Sequence, residues 1–379
     1  MSLIQEKIYL DNNATTRIDD RVLDAMLPYF TNFYANANSS HLAGLTVKEA
    51  VEQARWQTAE LIQAKPNDII FTSGATEAIN LAIKGLANEK RKHIVTVITE
   101  HEAVLDTCLH LETIGYKVSY LGVNKDGILD LDLLTAAVNE ETALVIVMMA
   151  NNETGTLQDI KKIGEIAKSK EAYFLCDATQ AIGKIPINVV DLGIDLLSLS
   201  AHKFYGPKGI GALFVSKKIK AKLTGQITGG GQQNSKRSGT LNVPGIIGLG
   251  KACEIASLEM EKDRDRITIM RDLLERELLK IPASFVNGSQ TNRLYNTTNI
   301  CFPGVNSENL ILALQNISVS NGSACSAVTS EPSHVLKALG LTNENALSSI
   351  RFSLGKFTTL AEIELTIAAV SELTRLLKS

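Results

Sequence analysis

Short, strongly apolar runs recur from residue 69 to residue 200, and each is closed by a different cluster of polar residues. Ile69–Phe71 runs into Thr72-Ser73-Gly74-Ala75-Thr76, and His93–Ile98 ends at Thr99-Glu100-His101. Ala143–Ala150 ends at Asn151-Asn152-Glu153, Tyr173–Cys176 at Asp177-Ala178-Thr179-Gln180, and Ile194–Leu199 at Ser200-Ala201-His202-Lys203. Between these runs apolar residues return at helical spacing. Ile79, Ala82, Ile83 and Leu86 form one such face, Leu105, Leu109 and Leu111 to Ile114 a second, and Ile160, Ile163, Ile166 and Ala167 a third. Lys117–Leu121 and Ile210–Val215 read as further strands. Strands this apolar, separated by helices, predict an α/β fold whose mostly parallel sheet is covered on both faces.

The pattern changes near residue 224. Thr224–Gly239 is rich in glycine, poor in apolar residues and carries Lys236-Arg237, so it reads as a long exposed loop. A helix is predicted from Ile246 to about Leu279, its charged run Glu259–Arg276 forming a solvated face. Beyond it, strands at Asn299–Phe302, Ile317–Ser320 and Ile350–Leu354 mix with helices at Asn309–Leu314, Val335–Leu339 and Leu360–Leu377, an α+β arrangement. The expected division is a large α/β domain over residues 15–258 and a smaller α+β domain built from residues 1–14 and 259–379.

In an open α/β sheet, ligands bind beyond the carboxyl ends of the strands. The strand-end clusters would therefore converge. Ala75 and Thr76 open a helix, where backbone N–H groups and a hydroxyl make an anion site. The spacing there is neither that of a nucleotide P-loop nor that of a dinucleotide fingerprint, so a single phosphate fits best. Asp177 can pair a ring nitrogen, and Gln180 can bond a phenolic oxygen. His101 can stack on a ring or move protons, and Lys203 can form an imine. Ser200 and His202 become phosphate contacts, with a structural hydrogen bond the alternative for His202. Together this is the inventory pyridoxal phosphate requires. Arg351 stands on the strand face opposite Ile350, Phe352 and Leu354, where it can grip a substrate α-carboxylate bidentately or make a surface ion pair.

Bulk properties narrow the class. A net charge of −3 and a pI of about 6.1 give no support for a nucleic-acid or anionic-membrane partner. No basic segment followed by an apolar stretch opens the chain, and no apolar run nears the ~20 residues a membrane helix needs, so a cytoplasmic enzyme is expected. Five cysteines lie scattered without Cys-x-x-Cys spacing, which points to neither disulfides nor a metal site. Cys108, Cys176, Cys253 and Cys301 fall in apolar or helical patterns. Cys325 alone lies in a run of small residues, Asn321 to Ser330, as a reactive thiol on a mobile loop or as a free surface cysteine.

With these residues in view, the chain resembles the NifS/IscS-type cysteine desulfurases of the class V aminotransferase group nearly end to end. The resemblance is carried by Tyr9–Thr16, Thr72–Glu77, Thr99–His101, Asn151–Glu153, Asp177–Gln180, Ser200-x-His202-Lys203, Arg237–Thr240, Gly322–Cys325 and Ser349–Ser353. It implies the type I pyridoxal-phosphate fold with a seven-stranded sheet. Lys203 becomes the imine lysine, Asp177 the partner of the ring nitrogen, and His101 the stacking acid/base. Ala75, Thr76, Ser200 and His202 would hold the phosphate, joined by Thr240 from a neighbouring subunit of a homodimer. Asn152 and Gln180 would contact cofactor or substrate, and Arg351 the carboxylate of L-cysteine. Cys325, on a loop spanning about 321–331, would accept the sulfur as a persulfide and L-alanine would leave. The implied partner is a sulfur-acceptor protein for iron–sulfur, thio-cofactor or tRNA pathways. An iron–sulfur scaffold is the weaker expectation among these, because the chain ends soon after its last helix where housekeeping members carry a tail. The competing readings are a selenocysteine lyase or an aminotransferase of the same fold, and a non-catalytic sulfur carrier.

Overall fold

The computed structural model describes residues 7–86, 90–322 and 331–378. Its strands, in chain order, are β1 (Ile8–Tyr9), β2 (Ile69–Thr72), β3 (His93–Val97), β4 (Lys117–Leu121), β5 (Thr142–Met148), β6 (Tyr173–Asp177), β7 (Leu196–Ser200), β8 (Gly211–Val215), β9 (Phe285–Val286), β10 (Thr297–Cys301), β11 (Ile317–Ser318) and β12 (Ser349–Ser353). Seven of them form the central sheet in the order β2-β8-β7-β6-β5-β3-β4. From β7 through β4 the pairs run parallel, and β8 lies antiparallel between β2 and β7. The expected mostly parallel sheet is therefore present. The carboxyl ends of β2, β3, β5, β6 and β7 all point one way.

Every residue of β3, β5, β6, β7 and β8 is buried, because helices cover both faces of the sheet. On one face pack Ile79, Ile83, Val104 and Leu111, and on the other Phe174, Ile163, Leu199 and Phe214. A separate apolar cluster joins Ile8 and Leu10 to Leu274, Ile300, Phe302, Ile350, Phe352 and Ile363. The helix Val243–Leu278 serves both cores. Its first part buries Ile246, Leu249 and Cys253, and its last part Ile267, Met270 and Leu274. Among the described residues no helix is long and apolar enough to cross a membrane.

Two features depart from the sequence reading. The helix Leu42–Leu61 was not foreseen. Its buried face includes Gly44, Ala54, Thr58 and Ala59, small residues that give a weak apolar signal. The loop after residue 224 is also fastened to the central sheet. The Gln233 amide donates to Phe71 O at 2.7 Å and accepts from Phe71 N at 2.8 Å, so one side chain pairs with strand β2 as a neighbouring strand would.

Candidate active site

A cavity of about 550 Å³ lies at the carboxyl ends of the parallel strands. It is lined by ten of the residues singled out in the sequence: Ala75, Thr76, His101, Asn152, Asp177, Gln180, Ser200, His202, Lys203 and Arg351. Thr240 is exposed and lies outside this lining. Cys325 falls outside the described residues. Gly322, three positions before it, lines the cavity.

Each wall follows from its strand. At the end of β2 the helix Ala75–Gly85 begins with no side-chain cap, so its first N–H groups are left for a ligand. Gly211 makes room for that turn, because a Cβ there would sit 2.8 Å from Gly74 Cα and 2.4 Å from Leu199 O. Ser200, His202, Lys203 and Lys208 line the same cavity as that helix start. Burial, with Lys203, Lys208 and Lys184 around it, pushes the His202 imidazole down to about 4, so the empty ring is neutral at physiological pH. Its Nδ1 lies 3.1 Å from Thr15 Oγ1.

At the end of β6 the Asp177 carboxylate is buried and accepts from Ser198 Oγ at 2.9 Å and Thr179 N at 3.0 Å. A hydroxyl bond from Thr179 fixes it further. His101 caps the helix Glu102–Glu112, its Nδ1 accepting from Ala103 N at 3.0 Å. The proton of the neutral ring is thereby confined to Nε2, which lies 3.6 Å from the Glu102 carboxylate. Lys203 Nζ donates to Asn13 O at 2.7 Å and Ala14 O at 2.9 Å. Arg351 is buried and bound to Asp11 Oδ1 at 2.6 Å and to Asn152 O at 3.0 Å, while its Nε has no hydrogen-bond partner among the described residues. The site thus combines an anion cradle, a fixed carboxylate, a primary amine and a guanidinium in one cavity.

A model of the class-V aminotransferases matches residues 8–365 of the chain. The chain belongs to that family. It is 49% identical over 369 residues to a cysteine desulfurase IscS of Colwellia psychrerythraea, spanning 96% of this chain and 91% of that protein. A solved NifS-like protein superposes with a TM-score of 0.92 at 37% identity, covering 98% of this chain and all of that one. A structure described as SspA in complex with cysteine superposes with a TM-score of 0.83 at 36% identity, covering 93% and 100%.

Within this class-V chain the sequence reading missed several wall residues. Asn13, Ala14 and Thr15 line the cavity, and two of them act through backbone carbonyls, which leave no mark in a sequence. Asp11 is the carboxylate paired with Arg351, and Glu77 joins Ser73 N (2.8 Å) to Arg237 Nε (2.9 Å). Glu153 is buried, and Ser333 donates to it at 2.6 Å. The four described cysteines are buried. Burial pushes Cys108 and Cys253 up to about 12, Cys301 to about 11, and Cys176 well above the usual thiol range.

Proposed function

We propose that the chain is a pyridoxal-phosphate-dependent cysteine desulfurase that converts L-cysteine to L-alanine and leaves the sulfur on Cys325. The observation that carries the reading is the single cavity shared by Lys203, Asp177, His101, Arg351 and an uncapped helix start. Gly322, three residues before Cys325 in the sequence, lines the same cavity. The relatives named cysteine desulfurase and the cysteine complex of a similar structure favour the same substrate.

The residues fit the cofactor by their chemistry. The free N–H groups of Ala75 and Thr76, with Ser200, His202 and Lys208, suit a phosphate. Asp177 is an acceptor already oriented by Ser198 and Thr179, as a protonated ring nitrogen needs. When bound, pyridoxal phosphate supplies an electron sink for the carbanion left on the substrate. The chain does the rest. Arg351, which lines the cavity, would take the substrate carboxylate through the guanidinium N–H groups that Asp11 and Asn152 leave over. Lys203 would hold the cofactor and supply an amine to carry the substrate α-proton, and His101 would offer its Nε2 proton from the cavity wall.

The Cys325 thiolate attacks the substrate sulfur, forming an S–S bond as the Cβ–S bond breaks. The electron pair goes to the carbon side, and Cβ takes up a proton. One L-cysteine and one thiol give one L-alanine and one persulfide, so the step needs no outside oxidant or reductant. The other four cysteines are unsuited to this work, because buried thiols with raised pKa values carry little thiolate. A homodimer in the cytoplasm, handing sulfur to an acceptor protein, completes the reading.

The test is turnover of L-cysteine by the wild type and by Cys325→Ala. The wild type is expected to release alanine and to carry one extra sulfur on the peptide bearing Cys325. The variant is expected to bind cofactor normally and lose alanine production by at least about 100-fold, as loss of a nucleophile does. Wild-type sulfide release by the variant would make the enzyme a lyase without a protein nucleophile.

A further inference from the structure

Lys184 is a lysine without a surface. It is 6% exposed, at the end of the turn that follows β6, and it does not line the cavity. Its amine donates to Gln180 O at 2.8 Å and to Gln180 Oε1 at 3.2 Å, and no ion pair to a carboxylate accompanies these bonds among the described residues. Gln180 is itself buried and lines the cavity, and its Nε2 donates to Asn13 O at 2.9 Å. The same Asn13 carbonyl accepts from Lys203 Nζ. One chain of contacts therefore runs Lys184–Gln180–Asn13–Lys203 beneath the site.

A glutamine side chain has an acceptor end and a donor end of nearly equal shape, and only its partners decide which faces where. Here both ends are decided. Rotating the amide by half a turn would bring its NH₂ against the Lys184 amine and its oxygen against the Asn13 carbonyl, replacing two attractions with two repulsions. With the amide held, one Nε2 hydrogen goes to Asn13 and the second remains for the cavity.

We propose that Lys184 is a positioning residue that holds Gln180 as a donor toward the cavity, so that the site selects the negatively charged ring oxygen of the bound cofactor. This rests on the pyridoxal-phosphate reading above. Burial, with the Lys203 amine nearby, pushes Lys184 down to about 7. The ammonium sets the bias most strongly, because it has no lone pair to accept from a flipped NH₂; with the amine neutral both bonds to Gln180 survive, and the Asn13 carbonyl still keeps the amide from turning. The competing account is purely structural, with Lys184 doing no more than satisfying the Gln180 carbonyl at the end of a turn.

A double-mutant cycle separates the two, with pyridoxal 5′-phosphate as the probe and both cofactor affinity and the melting temperature of the cofactor-free chain as readouts. Lys184→Met is expected to weaken cofactor binding by about tenfold, the usual worth of a hydrogen bond to a charged group. In a Gln180→Ala background the same change should have less than about a twofold effect, since its route is already gone. Equal losses in both backgrounds, or a lower melting temperature with unchanged affinity, would overturn the proposal in favour of the structural account. Gln180→Glu keeps Lys184 satisfied while removing the donor. It is expected to bind cofactor at least about tenfold more weakly, whatever the oxygen it sets against the Asn13 carbonyl costs in melting temperature. Wild-type affinity in that variant would also overturn the proposal, even if Lys184→Met does not fold. A wild type that binds no cofactor at all would instead remove the functional reading beneath it.

Discussion

His202 shows what a single residue contributes before any ligand arrives. Three lysines and the surrounding protein hold its ring neutral to about pH 4, whereas the unfolded chain protonates the same ring near 6.5. Above pH 6.5 both states are neutral and the group does not influence folding. Below it, the unfolded state takes the proton first, so stability falls as the pH drops from about 6.5 toward 4. A bound phosphate would oppose this loss, because a dianion beside the ring favours the imidazolium. The cofactor-free protein is therefore expected to lose melting temperature over this acid window more steeply than its His202→Gln variant, and the cofactor-loaded protein less steeply. Parallel curves for the cofactor-free wild type and variant would show that other groups carry the acid sensitivity.

Elements were legible where their apolar signal was strong. The runs leading to Thr72, His101, Asn151, Asp177 and Ser200 were readable because a strand buried on both faces is apolar along most of its length, so a cluster of polar residues marks its end. The helix Leu42–Leu61 was not readable in the same way. It packs on the long helix through small residues, and a Cβ on Gly250 would lie 2.6 Å from Ala54 Cα. Spacing of Val47, Val51, Ala54 and Thr58 was the signal available, and it is faint. Lys184 was invisible, since its burial is a tertiary fact and a lysine is exposed by default. The segment that holds the long helix to β10 was equally hidden. Arg293 meets Glu275 through both terminal nitrogens, at 2.6 and 2.7 Å, and Thr298 Oγ1 donates to the same carboxylate at 2.5 Å. Both charged side chains are largely buried. Arg293→Met strands that carboxylate and is expected to cost about 3–5 kcal/mol in chemical denaturation, the usual result of removing one partner of a buried pair. A loss below about 1 kcal/mol would place the pair in the surface class.

For the whole molecule, the surface carries its own argument for a second copy. Leu27, Phe30, Tyr34, Leu42 and Leu45 leave large apolar areas uncovered, Tyr34 and Leu42 being 79% exposed. A groove of about 260 Å³ beside them is lined by Ala37, Asn38 and Lys48 on one side and by Gln232, Asn234 and Lys236 on the other. The apolar face is thus continuous with the loop that leads to Thr240. Apolar patches of this kind on an otherwise polar surface mark association sites, and self-association is the most economical occupant. The loop itself cannot serve its own cavity through Thr240, which is exposed and outside the lining, while Gln233 pins the preceding turn to β2. In the proposed homodimer the same loop would approach the partner's phosphate cradle. Light scattering is expected to give twice the chain mass, and Leu42→Asp with Tyr34→Asp to give a monomer. That monomer should keep its secondary structure and bind pyridoxal phosphate at least about tenfold more weakly, as expected for a lost contact to a charged phosphate. Thr240→Ala should reproduce part of the affinity loss while leaving the dimer intact. A fully active wild-type monomer, or a charged variant that stays dimeric, would remove this face from the interface.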